Sequence, residues 1–497
     1  MSNILALDQG TTSSRALVFN SRGEILSSSQ EEFQQFFPKP GWVEHDPEEI
    51  WTSQLKVAKE AIRLAGLSLK EIDAIGIANQ RETTIVWDRV TGEAIHPAIV
   101  WQDRRTSNRC KELRSESFEE LVSKKTGLTL DPYFCATKIE WILNHVTDAR
   151  SKAEHGDLLF GTVDSWLIWK LTKGAVHRTD VTNASRTLLW NLSENCWDTD
   201  LLERFHIPNS MMPEVNPSSS CFGETDRTFF GEEILIGGVS GDQQAALFGQ
   251  SCNQPGLAKN TYGTGCFALM NVGDQVVASR SKLLSTAVCS GAKMGGYALE
   301  GSVFCGGSAV QWLRDGLGII KHAAEVEALA ASVDDTGDVY LVPAFTGLGA
   351  PHWDPYARGT IVGITRGTSR AHLARATLEG IAFQVMDVLE AMATDMGSPI
   401  KELRVDGGAS RNNLLMQIQA DLLGAPVVRS KMTEATAFGA AFLAGLTSGI
   451  WSHTEELDSL HEVDCVFEPQ GSESLTKERK EKWAVALQKS QIWETAN

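Results

Sequence analysis

Four consecutive apolar residues, Ile4–Leu7, open the chain and read as a buried strand. They give way to Asp8–Gln9–Gly10–Thr11–Thr12–Ser13–Ser14–Arg15, after which Ala16–Leu17–Val18–Phe19 resumes the apolar run. This pattern predicts a hairpin with a loop rich in hydroxyls. Asp46 before Pro47, with Glu49 three residues on, predicts an N-cap with a capping box for a helix through Ile50, Leu55, Ala58 and Ile62. Ile72–Ala78 and Ile85–Trp87 read as strands flanking six polar residues, Asn79–Thr84, and Ala98–Trp101 reads as another. Asp131–Pro132–Tyr133–Phe134 leads into a helix carrying Ile139, Ile142, Leu143 and Val146.

Further along, Ile234–Gly241 predicts a strand that turns at Asp242 into a helix. Asn260–Tyr262 breaks at Gly263–Thr264–Gly265 before Cys266–Met270, and Val405–Asp406–Gly407–Gly408 joins a strand to a helix ending near Gly424. Ser369 is the expected N-cap of a long helix whose apolar stripe includes Leu373, Leu378, Ile381, Val385, Val388 and Met392. The tail after Phe467 reads as polar, then as a docked helix through Trp483–Leu487.

Composition narrows the classes. The chain has 497 residues, enough for two or three domains, and 42% hydrophobic residues, an ordinary globular share. Its formal charge of −18 argues against nucleic acid and anionic membrane surfaces as partners. The nine cysteines are odd in number, scattered and without a C-x-x-C pair, so they read as reduced, mostly core thiols in a cytoplasmic protein. The chain enters its first strand without a basic segment followed by an apolar one, so no secretory leader is expected. The longest small-apolar stretch, Ala435–Leu446, is too short and glycine-rich to span a membrane.

Candidate chemistry gathers at the loops. Backbone N–H groups, hydroxyls and Arg15 in the first hairpin suit an anion, and Asp8 at its mouth suits a hydrated cation, the pairing a nucleoside triphosphate with Mg²⁺ requires. A polar turn made for local reasons has the same composition. Arg81 and Glu82 offer donors and acceptors to neighbouring hydroxyls, or form a surface ion pair of little energetic worth. Asp242 falls where open α/β sheets place ligands, and doubles as a helix N-terminal residue. Gly263–Thr264–Gly265 resembles a second phosphate loop.

Taken together, Leu7–Arg15, Asn79–Thr84, Asp131–Phe134, Gly241–Gln244, Tyr262–Gly265, Pro343–Pro351 and Asp406–Gly408 resemble the motifs of the glycerol kinase family. These are carbohydrate kinases sharing the actin/hexokinase-type ATPase fold, and the motifs come in that family's order along nearly the whole chain. The resemblance implies an α/β protein of two similar ribonuclease H-like domains, roughly residues 1–250 and 251–497, around a central cleft. It implies ATP-dependent phosphorylation of glycerol to sn-glycerol 3-phosphate, with ATP and Mg²⁺ as cofactors and a homodimer or homotetramer as the assembly. Glycerol contacts carry over to Arg81, Glu82, Tyr133, Asp242 and Gln243, with Trp101 and Phe267 as apolar walls. Nucleotide contacts carry over to Thr11, Thr12, Ser13, Arg15, Thr264, Gly307, Gln311, Gly408 and Asn412. Asp242 is the expected general base and Asp8 the metal-side carboxylate. The stretch Thr225–Gly231 matches neither regulatory pattern of the family, the fructose 1,6-bisphosphate loop or the phospho-His switch, so neither control is expected. A kinase for a longer polyol or pentulose, a substrate-free ATPase of the same fold, and a regulatory binder that has lost catalysis, which would be expected to lack Asp8 or Asp242, are the rival readings.

Overall fold

A computed structural model describes residues 2–291, 293–491 and 493. Two mixed sheets organise it. The first has five strands in the spatial order Leu235–Gly241, Ile72–Asn79, Asn3–Gln9, Ser13–Asn20 and Ile25–Glu32. The last three form an antiparallel meander, and Ile72–Asn79 and Leu235–Gly241 run parallel to Asn3–Gln9. The second sheet repeats this plan. Leu257–Tyr262, Cys266–Gly273 and Tyr297–Val303 form the meander, and Glu402–Asp406 and Val427–Ser430 add in parallel. Leu284–Ala287 and Val463–Phe467 extend its two edges. The duplication escapes the sequence because it resides in strand order and hairpin position, not in shared residues.

Local signals set most element ends. Asp46 caps Pro47–Leu64 by accepting from Glu48 N at 2.9 Å. The expected capping box differs, because Glu49 turns away to accept from Gln34 N at 3.1 Å, tying the helix to the loop after the meander. Ser369 begins the helix Arg370–Met396 with a reciprocal box whose partner is His372. The tail helix Glu473–Ser490 docks by stacking Trp483 on Phe383, with ring centroids 4.9 Å apart.

Ala435–Ser448, the small-apolar stretch, is a helix laid across the first sheet and against the helix Asp242–Gly249. Its Ala437, Phe438, Ala441, Phe442 and Leu443 share a core with Ile4, Ala6, Leu17, Phe19 and Phe248. Small residues make the approach close. A Cβ on Gly76 would lie 2.1 Å from Ala440 O, and one on Gly249 would lie 2.1 Å from Ala435 O. Backbone-to-backbone contact of this kind leaves no room for a methyl group. The thiol expectation matches the packing: Cys110, Cys135, Cys252, Cys266, Cys289 and Cys305 are buried and all nine are free. Among the described residues, no helix is long and apolar enough to cross a membrane.

Candidate functional site

Strand register brings the first-half candidates together. Asp8, Ala78 and Ser240 are aligned in adjacent parallel strands, as are Gln9, Asn79 and Gly241. Asp8 therefore sits at the carboxyl end of one strand, Arg81 and Glu82 just past the next, and Asp242 just past the third. This is the edge at which open α/β sheets gather ligand-binding groups.

Arg81 is the hub. Its guanidinium grips Glu300 through two bonds, Nη1 to Oε2 at 2.6 Å and Nη2 to Oε1 at 2.9 Å, and donates to Gln244 Oε1 at 3.1 Å. Its Nε lies 3.3 Å from Asp242 Oδ1. Arg186 completes a buried square, donating from Nε to Glu82 Oε1 at 2.6 Å and from Nη2 to Glu300 Oε1 at 3.1 Å. Burial alone would raise Glu300, but Arg186 and Arg81 outweigh it and hold its carboxyl at about 2. For Glu82 burial wins over the same two arginines and its carboxyl shifts upward. Two guanidinium groups and two carboxylates so buried offset a heavy desolvation penalty by this pairing, in which Arg186 Nη1 is left without a hydrogen-bond partner among the described residues.

Asp242 opens the helix Asp242–Gly249 with a half-exposed side chain. Its Oδ1 accepts from Gln243 N at 2.7 Å, while Oδ2 has only a 3.4 Å approach from Gln243 Nε2. The Gln243 amide is held by Lys259, whose buried Nζ donates to Gln243 Oε1 at 2.5 Å and to Thr261 Oγ1 at 3.0 Å. Trp101 meets Tyr133 edge-on, with ring centroids 5.6 Å apart, and its indole Nε1 donates to Thr11 Oγ1 at 2.9 Å. That bond joins an expected substrate wall to the expected phosphate hairpin. Burial raises the Tyr133 phenol well above its ordinary value, keeping it a hydroxyl donor. Phe267 is half-buried on the strand Cys266–Gly273.

In the hairpin, Gly10 N donates to Ser13 O at 3.0 Å, Thr12 is exposed, and the buried Ser13 hydroxyl accepts from Gln30 Nε2 at 2.9 Å. Arg15 reaches Glu434 at 2.6 Å and stands 3.7 Å from Asp8. Burial pushes the Asp8 carboxyl up; Arg15 opposes, Asp242 and Glu434 add, and it settles at about 6. A cation beside it would relieve that penalty, and Mg²⁺ characteristically takes one or two carboxylates together with substrate phosphates. Among the described residues no group of three or more His, Cys, Asp or Glu side chains is arranged to hold a metal unaided. The donor set thus fits a cation that arrives with its nucleotide.

On the second sheet, Thr261 and Asp406 are paired in register, so the turns after Tyr262 and Asp406 lie side by side. Gly307 opens the helix Gly307–Asp315 and donates to Gly263 O at 2.8 Å, and Thr264 and Gln311 are exposed around it. Gly408 has open space where a Cβ would stand, whereas Gly407, at φ +86°, is pressed against the Tyr262 backbone. Asn412 spends its side-chain oxygen capping the helix Asn413–Leu423, accepting from Leu415 N at 2.9 Å. A cleft of about 520 Å³ runs from Arg15 and Glu434 to Asp406, Gly408 and Arg429.

Sequence reasoning missed Lys138, Arg186, Lys259 and Glu300. Glu300 is a charge inside the strand Tyr297–Val303 and Lys259 one inside Leu257–Tyr262, whereas Arg186 lies in the turn after the helix Val181–Ala184, with no apolar pattern around it. Lys138 falls on the buried stripe of the helix Cys135–His145. For Lys138, Lys259 and Glu300 a charge inside a strand or on a buried helix stripe was the available signal; Arg186 offered none.

Comparison with known proteins matches this arrangement to one family. Residues 3–249 fit the N-terminal domain, and residues 258–448 the C-terminal domain, of the FGGY family of carbohydrate kinases. The chain is 60% identical to a glycerol kinase of Rhodopirellula baltica, over 99% of this chain and 91% of that protein. It is 59% identical to one of Trichlorobacter lovleyi, over 99% of each. The crystal structure of Plasmodium falciparum glycerol kinase with ADP superposes with a TM-score of 0.94 at 38% identity, covering 99% of this chain and 98% of that one. A xylulose kinase from Lactobacillus acidophilus shares the fold at a TM-score of 0.88 and 21% identity, covering 98% and 97%. The chain belongs to the FGGY family of carbohydrate kinases.

Proposed function

We propose that the protein transfers the γ-phosphoryl group of ATP to glycerol, giving sn-glycerol 3-phosphate and ADP. The observation that carries this reading is the convergence of Asp242, Arg81 and Glu82 at the carboxyl ends of adjacent strands, with Asp8 on the same edge. Arg81 and Gln243 supply donors to glycerol hydroxyls and Glu82 an acceptor, while Trp101, Tyr133 and Phe267 wall its carbon chain. Such pairing rejects analogues that lack a hydroxyl, because buried groups are then left unsatisfied.

Asp242 is the general base. Gln243 N and Arg81 engage its Oδ1, which leaves Oδ2 to accept the proton of the attacking hydroxyl. The glycerol hydroxyl oxygen then bonds to the γ-phosphorus as the bond from that phosphorus to the β-phosphate oxygen breaks, and ADP leaves with the electron pair. Thr11, Thr12, Ser13, Thr264 and the freed Arg15 cradle the phosphates, and Gly307, Gln311, Gly408 and Asn412 border the nucleoside. Bound Mg²⁺, beside Asp8, would neutralise phosphate charge as it builds. The part built on the first sheet, which carries the helix Ala435–Ser448, and the part built on the second close over the pair and exclude water, which otherwise competes for the phosphoryl group.

The test is ADP release with Mg²⁺-ATP and glycerol against a pentulose, with Asp242→Asn as control. Glycerol-dependent turnover lost in the variant supports the assignment. Turnover with the pentulose alone would replace the substrate, and turnover indifferent to both would remove it.

A further inference from the structure

Lys138 is only 1% exposed. Lysine is almost never so deeply buried without partners, and its recorded partners are two main-chain carbonyls: Nζ donates to Tyr133 O at 2.8 Å and to Glu82 O at 3.1 Å. Burial pulls its ammonium down to about 8, a measure of what holding it there costs.

Glu82 explains the placement. Its φ of +61° is unusual for a residue with a side chain, and such a backbone persists only where its surroundings hold it. Three donors converge on its carbonyl: Lys138 Nζ, Thr84 Oγ1 at 3.2 Å and Cys135 Sγ at 3.4 Å. Arg186 fixes the other end of the residue through Oε1. The same ammonium that holds Glu82 also fastens Tyr133, whose ring packs on Trp101.

We propose that Lys138 is a positioning residue for the polyol site, its buried ammonium locking Glu82 and Tyr133 into mutual register before substrate arrives. It reaches no substrate itself. The inference rests on the assignment of Glu82 and Tyr133 to glycerol.

Steady-state kinetics on the full chain test it, with glycerol and ATP varied in turn for wild type, Lys138→Met, Lys138→Arg and Thr84→Val. Loss of a charged donor to two buried carbonyls is expected to raise the KM for glycerol about ten- to a hundredfold in Lys138→Met, leaving the KM for ATP unchanged. Lys138→Arg, which retains N–H donors, recovers part of the loss, and Thr84→Val shifts the glycerol KM the same way by less. A wild-type glycerol KM in Lys138→Met overturns the proposal, as does an equal rise in both KM values or a fall in kcat alone. Should Lys138→Met fail to fold, Thr84→Val and Lys138→Arg decide by the same criterion, and an unchanged glycerol KM in both overturns it. Should wild type ignore glycerol, the substrate assignment fails by itself, and the same ratios are read with the polyol it does phosphorylate.

Discussion

Glu300 holds Arg81 from the opposite sheet by a bidentate grip, at 2.6 and 2.9 Å, with neither side chain open to water. The arginine expected to recognise glycerol on the first sheet is thus aimed by a carboxylate of the second. Glu300→Gln removes the charge with little change in shape and strands two buried guanidinium groups. Urea unfolding is expected to show a loss of about 3–5 kcal/mol, accompanied by a higher KM for glycerol. The pH dependence has a definite sign. A carboxyl lowered from 4.5 to about 2 contributes stability that is complete above 4.5 and lost as pH falls toward 2. Wild type should therefore weaken across that window more steeply than Glu300→Gln.

Asp8 behaves in the opposite sense. Its carboxyl is raised from 3.8 to about 6, so its contribution is most favourable below 3.8 and is lost as pH rises through 6. Asp8→Asn should stabilise the ligand-free protein at neutral pH by about 1–3 kcal/mol while abolishing turnover. Thermal unfolding at pH 4 and pH 7 checks this, the difference between variant and wild type shrinking at the lower pH.

Asp242→Asn should lower kcat by about 10²–10⁴-fold. With its side chain 31% exposed and outside the apolar clusters, the melting temperature should hardly move. Retained turnover would exclude Asp242 as the base.

Two glycines separate fold from site. Gly76→Ala places a methyl 2.1 Å from Ala440 O and should destabilise the chain by about 1–3 kcal/mol or more, read from unfolding curves. Gly408→Ala meets nothing within 4 Å, so stability should hold while the KM for ATP rises.

What the sequence disclosed divides along physical lines. Asp8 and Asp242 stood out at the ends of strands, and Arg81 and Glu82 in a polar stretch between two strands, which are local features. Helix caps at Asp46 and Ser369 were readable for the same reason. The Glu49 partner was not, because Gln34 lies in another element. Glu300 lies 219 residues from Arg81, and Arg186 lies 104 from Glu82, so no local pattern announces either pairing. The hydroxyls and Arg15 of the hairpin were visible, but the hold of Glu434 on Arg15, across 419 residues, was not. On the proposed reading, a bound triphosphate takes Arg15 from that carboxylate.

The helix Ala435–Ser448 has a consequence for how this chain can be cut. It is made long after the strands it covers, yet it supplies the wall against which Ile4, Leu17, Phe19 and Phe248 bury themselves. Until ribosomes reach residue 448, that face of the first sheet is open to water. Exchanging halves between relatives at residue 250 would mate one parent's sheet with the other parent's helix across a seam of facing glycines and carbonyls. A chimera that respects the packing must carry 435–448 with the amino-terminal half.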